Sequence, residues 1–252
     1  MQPKQKTTIV TNLVPGSSLK TWALGLLFLL IHADGMSRDF DCTNGTARHS
    51  DTTYRLKIVQ SPIPYGEERK RLSLEYLEQR HGLVQKHPII KPRMIILHYT
   101  AGGSAKSTID YFSATRIEQA RDYIGGKSPL NVSSQYLVDR DGTVYQLMED
   151  TLFARHAIGL NHCAIGIENV GSEKMPLTPQ QVSANAALVM KLAARHRIEY
   201  LIGHQEYGRF RKSSLWKETD PAYFTGKSDP GASFMAEVRE RVKHLGLKSN
   251  PD

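Results

Sequence analysis

Two short apolar runs, Met94-Ile95-Ile96-Leu97 and Tyr200-Leu201-Ile202, each lead directly into a histidine-bearing segment: His98 follows the first, and Gly203-His204 the second. An uninterrupted apolar run of four residues reads as a strand buried on both of its faces. Such strands need cover above and below, so the chain must fold as a sheet between helical layers. Ile165-Gly166-Ile167-Glu168 is a third run of this kind, and it too ends in a polar residue. The stretch from Ile202 to Gly231 adds a carboxylate, Asp229, on a Pro230-Gly231 turn. Stiffly held histidines and a carboxylate on a turn suit a metal, and two histidines with one carboxylate leave a fourth position for water, as in catalytic zinc sites. The chain has ten histidines, so composition alone could also place one at the end of a strand.

The remaining pattern fits the same layered class. Arg55 to Gln60 alternates as a short strand. Ser73 to Arg80 reads as a helix, capped by Ser73 and ended by Gly82. Ser107 to about Arg121 reads as a second helix burying Ile109, Phe112 and Ile117. Tyr136-Leu137-Val138 and Thr143-Val144-Tyr145 flank Asp141-Gly142, a strong hairpin signal. Thr178-Pro179-Gln180-Gln181 opens a helix with a cap, a proline in the first turn and a capping-box glutamine; Val182, Ala186, Val189 and Ala193 share its inner face. A last helix follows Pro230, buries Phe234, Val238, Val242 and Leu245, and ends at Gly246. Strands and helices mix without strict alternation. The expected fold is therefore α/β, with a mixed central β-sheet and helices packed on both faces.

At 252 residues the chain suits one domain with extensions. Lys4, Lys6 and Lys20 precede an apolar run, Trp22 to Ile31, and small residues Ala33 and Gly35 follow it. Basic, apolar and small segments in that order describe a secretory signal, and the run is short for a membrane span. The expected organisation is a signal peptide over 1–35, a polar linker over 36–53 and a catalytic domain over 54–252. An uncleaved anchor is the alternative for the first segment. A formal charge of +8 favours anionic partners, yet no nucleic-acid module accompanies it and the basic residues are scattered. Two cysteines, Cys42 and Cys163, form neither a metal cluster nor a disulfide framework, although export would allow them to pair.

MIILHYT, SSQYLVDRDGTVYQL, ARHAIG, CAIGIENVG, LIGHQEYG and KSDPG follow one another in this chain. In that order, from about Arg55 to Leu247, they resemble the zinc-dependent N-acetylmuramoyl-L-alanine amidases of the type related to peptidoglycan recognition proteins. The resemblance implies one zinc per chain, held by His98, His204 and Asp229. It implies cleavage of the amide between N-acetylmuramic acid and L-alanine in peptidoglycan or muropeptides, with no nucleic acid involved. Glu168 matches the family's acidic catalytic residue, where one carboxylate can serve as base toward water and as acid toward the departing amine. Lys227 matches a lysine two residues before the ligand aspartate, placed to stabilise an oxyanion. His156 resembles a histidine of the substrate groove, and Tyr99 and Asn169 are expected either in the groove or in the shell that supports the metal ligands. The implied localisation is exported and periplasmic, with the membrane involved only through the export signal.

Three departures from the family pattern stand out. Gln135 occupies a position where many relatives carry histidine. The loop between His204 and Asp229 is long and holds Trp216, Tyr223 and Phe224. Cys163 stands where relatives often have serine. Asp220 in KETDPAY competes with Asp229 in KSDPGAS for the third ligand position; the spacing to the upstream lysine and the following helical pattern favour Asp229. Two other functions fit the same motifs: a wall-binding module without hydrolysis, and a cytoplasmic muropeptide-recycling amidase.

Overall fold

The computed structural model describes residues 55–118 and 120–252. The expected signal peptide, the linker and Cys42 lie outside the described residues. Cys163 is a free, buried thiol. Among the described residues no helix is long and apolar enough to cross a membrane.

Six strands form one mixed sheet: β1 (Ile58–Gln60), β2 (Met94–Leu97), β3 (Tyr136–Val138), β4 (Val144–Gln146), β5 (Ala164–Asn169) and β6 (Tyr200–Gly203). Their spatial order is β1-β4-β3-β5-β2-β6, and only the β3–β4 hairpin is antiparallel. The Asp141-Gly142 turn closes that hairpin, with Gly142 at a φ of 85° that favours glycine. The three apolar runs become neighbours on one side of the sheet, β5-β2-β6, where every residue of β2 and β6 is buried. Alternation along β2 divides the core. Ile95 and Leu97 join the cluster built with α4 (Pro179–Arg195) and α5 (Ala232–Arg241). Met94 and Ile96 join the opposite cluster with Tyr207, Phe210 and Tyr223. Helix α2 (Ala105–Ser113) packs Phe112 into a third cluster with Leu137 and Leu147. Helical cover thus lies on both faces, as the apolar runs require.

Helix α4 begins as its sequence predicts: Thr178 Oγ1 accepts from the Gln181 amide and the Gln181 side chain accepts from Thr178 N. Two other helices depart from expectation. Helix α1 (Glu67–His81) starts well before Ser73, from Gly66, with Glu67 and Glu68 complementing the helix dipole. Ser73 is buried in mid-helix and accepts from the Tyr65 hydroxyl at 3.2 Å. The charged first half of α1 hides the period, because Arg69 points inward. Its guanidinium donates to the carbonyls of Phe112, Ser113 and Ala114 at 2.7, 3.3 and 2.7 Å. Those contacts satisfy the last carbonyls of α2 and stop it at Ser113. The chain then turns through an Arg116–Leu130 bridge and the short α3 (Asp122–Gly125), so Ile117 lies outside any helix.

Candidate metal centre

Strand register builds the site. Leu97 of β2 pairs with Ile167 of β5 on one side and with Gly203 of β6 on the other. The next residue of each strand is therefore level with the others: Glu168, His98 and His204 form one row across three parallel strands. Side chains two apart share a face, so all three project on the face that carries Ile96, Gly166 and Ile202. Backbone bonds continue the pairing through this row. His98 N donates to the Ile167 carbonyl at 2.9 Å, and Asn169 N donates to the His98 carbonyl at 3.1 Å.

Asp229 comes from a different part of the chain, the turn before α5, where Gly231 adopts a φ of 98°. It is brought to the row by the Gln205 amide, which donates to the Asp229 carbonyl at 2.8 Å. Three atoms able to ligate a metal then face one another. His98 Nδ1 lies 3.0 Å from His204 Nδ1, and Asp229 Oδ2 lies 3.3 Å from the first and 3.1 Å from the second. A tetrahedral zinc with bonds of about 2.0–2.1 Å places its ligand atoms roughly 3.3 Å apart. The spacing and the nitrogen, nitrogen, oxygen donor set both fit zinc. This is the one metal-ligating cluster found among the described residues.

Electrostatics separate the two carboxylates. Burial works against ionising Asp229, but hydrogen bonds with His204 and His98 outweigh it and hold the carboxyl well below the usual carboxylate range. For Glu168, burial dominates and pushes the carboxyl up to about 7, with Asp229 adding to the rise and His98, Lys227 and Arg121 opposing it. Its Oε2 is buried with no protein partner. Burial, with His98 adding to it, lowers His204 to about 4, so its imidazole is neutral and available as a ligand near pH 7.

The row lies in a groove of about 430 Å³, to which Tyr99, Tyr111, Arg121, Tyr223 and Lys227 also contribute. Lys227 is exposed at the groove, and the Tyr99 hydroxyl lies 3.2 Å from Ser228 Oγ. Two expectations are narrowed. Asn169 does not line the groove; of the two places expected for it, it takes the one that supports the metal ligands. As the strand neighbour of Glu168 it points to the opposite face, where its Nδ2 donates to the His98 carbonyl at 3.0 Å and its Oδ1 accepts from Asn185 at 2.6 Å. His156 does line the groove, but both ring nitrogens are engaged within the protein: Nδ1 with His98 Nε2 at 3.0 Å, and Nε2 with the Ala164 carbonyl at 3.2 Å. It has no free nitrogen to offer a substrate.

Asp220 is far from the ligand role. Its Oδ2 lies 2.8 Å from Lys127 Nζ and 3.7 Å from Arg80, which also pairs with Glu218. The long loop around it is a packed element. Tyr207 stacks on Phe224 at 5.1 Å, and Trp216 covers Gly159, where a Cβ would meet the indole at 2.6 Å. Gln135 is structural: Oε1 accepts from the Gly166 amide at 2.7 Å and Nε2 donates to the Leu152 carbonyl at 2.8 Å.

Among solved structures, the chain is similar to an N-acetylmuramoyl-L-alanine amidase, LysC, from Clostridium intestinale URNW, with 20% identity and a TM-score of 0.48 over 77% of this chain and 100% of that one. It is similar to a selenomethionine derivative of AmpD, with 22% identity and a TM-score of 0.47 over 75% and 96%. A human peptidoglycan recognition protein in complex with a glycosamyl muramyl pentapeptide matches at 17% identity and a TM-score of 0.43, over 60% and 85%. A search of curated proteins gives no significant match. The model of the family described as N-acetylmuramoyl-L-alanine amidase matches residues 87–232, over half of the chain and from just before β2 to the start of α5, so this protein belongs to the N-acetylmuramoyl-L-alanine amidase family.

Proposed function

We propose that this amidase is a zinc enzyme, exported from the cell, that hydrolyses the amide between the lactyl group of N-acetylmuramic acid and L-alanine in peptidoglycan or its released fragments. The observation that carries the reading is the cluster of His98, His204 and Asp229 at the base of a groove, with Glu168 level with both histidines in the strand register. When bound there, zinc supplies a Lewis acid that polarises a carbonyl and acidifies water to a pKa of about 7.

The chain's own residues then divide the remaining work. Glu168 takes a proton from the attacking water and returns it to the departing amine of L-alanine. A carboxyl held near 7 suits both halves of that transfer, since its proton affinity matches the working pH. Lys227, exposed at the groove, brings a positive charge to the oxygen of the scissile carbonyl as it gains negative charge. Tyr99 and Tyr111 offer aromatic surface along the groove for the sugar-peptide substrate. The segment Lys4 to Gly35, with its basic, apolar and small residues in order, supports export.

Digestion of purified peptidoglycan, with and without a chelator, tests this. The expected products are stem peptides with a free L-alanine amino terminus, identified by mass spectrometry, and their release stops on zinc removal and resumes on its return. New reducing ends on the glycan, or cleavage that continues undiminished with the metal stripped, would overturn the proposal.

A further inference from the structure

We infer that His156 is a positioning residue for the metal ligand His98: it fixes which nitrogen of His98 carries the proton, and Gly166 is the seat that lets it do so. The inference rests on the zinc reading of His98, His204 and Asp229. The Ala164 carbonyl can only accept, so His156 Nε2, 3.2 Å from it, carries the hydrogen. In a neutral ring that leaves Nδ1 as an acceptor. The group facing it at 3.0 Å is His98 Nε2, which is thereby the donor. When zinc is bound, that leaves His98 its lone pair on Nδ1, the atom that faces His204 Nδ1 at 3.0 Å and Asp229 Oδ2 at 3.3 Å. A chain of two imidazoles thus runs from a backbone carbonyl of β5 to the ligand atom, and the carbonyl at its start sets the direction of the links. Metal-binding histidines generally donate their second N–H to a partner that sets tautomer and ring orientation. Here that partner is a second histidine in place of a carboxylate.

Gly166 makes the arrangement possible. It lies on the face of β5 that carries Glu168, two residues on, and a Cβ added there would come within 2.8 Å of His156 Cγ and 3.0 Å of its Nδ1. The imidazole packs against bare backbone, which no other residue type would leave free. Gln135 pins the same spot from below by accepting the Gly166 amide at 2.7 Å. The ring is therefore held from three sides: by the Ala164 carbonyl, by His98 and by the β5 backbone.

Zinc dissociation constants, measured by competition with a chromophoric chelator, separate this role from a substrate contact. His156→Leu and His156→Asn have the same heavy-atom outline and differ in whether they can accept from His98 Nε2. Leu is expected to weaken zinc binding by about 10- to 100-fold, and Asn, through its Oδ1, to recover most of that loss. Gly166→Ala is expected to weaken zinc binding as well, although His156 is still present. If His156→Leu and Gly166→Ala bind zinc as tightly as the unsubstituted chain, and only KM rises, the inference is overturned and His156 is a groove contact. If the unsubstituted chain fails to bind zinc, the metal reading falls and this inference falls with it.

Discussion

Replacing Glu168 by glutamine should change the pH dependence of stability, by an amount the site itself predicts. Burial moves this carboxyl from its ordinary 4.5 to about 7. At ~1.4 kcal/mol per pH unit, the ionised form is disfavoured in the folded protein by about 3 kcal/mol. A group whose folded pKa is raised contributes its stability fully below the unfolded pKa and loses it as pH rises through the folded one. Relative to Glu168→Gln, the unsubstituted protein should therefore lose about 3 kcal/mol between pH 4.5 and pH 7, with a plateau above. For a domain of this size that corresponds to a shift in Tm of about 6–12 °C. The assay is denaturant or thermal unfolding of chelator-treated protein across pH 4 to 9, with the variant as reference so that other titrations largely cancel. Parallel stability profiles for the two proteins would refute the reasoning, because a Glu168 that ionises normally cannot be the group poised for proton transfer near neutral pH.

Other consequences follow from the same geometry. Glu168→Gln should keep its zinc yet lose turnover by at least about a hundredfold, measured as stem-peptide release alongside metal analysis. Asp229→Ala should abolish zinc binding, whereas Asp220→Ala, whose carboxylate is paired with Lys127 and Arg80, should retain both zinc and activity; metal analysis of the two purified variants decides between them. Lys227→Ala should lower kcat with zinc content intact, and a change confined to KM would remove its oxyanion role. Sequencing the amino terminus of the native protein should find a cut near Gly35; a chain that keeps Trp22 to Ile31 would count against export.

The site was largely legible because it is tied to strand ends. His98, His204 and Glu168 each close an apolar run, and parallel pairing of three such runs leaves them in a single row. Strand alternation also shows why Asn169 supports His98 and does not line the groove, since the neighbour of an inward Glu168 must face the other way. The role of His156 left no local signal. It depends on Gly166 and Ala164 in β5, and ARHAIG carries no mark of that contact. The start of α1 was hidden because Arg69, a charged residue, occupies an inward position in order to hold the end of α2. Asp220 likewise resembles a ligand locally, and only partners remote in sequence, Lys127 and Arg80, reveal that its carboxylate is occupied.

The register that aligns β5, β2 and β6 makes the site a test of folding fidelity. A slip of one residue in either pairing would turn a whole strand's side chains to the other face and separate a ligand or the acid from its partners. Strand content would barely change. Parallel pairings between segments this distant in sequence form slowly, since the loops between them must close first. In a refolding experiment, recovery of circular dichroism should therefore run ahead of recovery of zinc binding. The gap between the two curves would measure the population of chains that have made a sheet without yet making the right one.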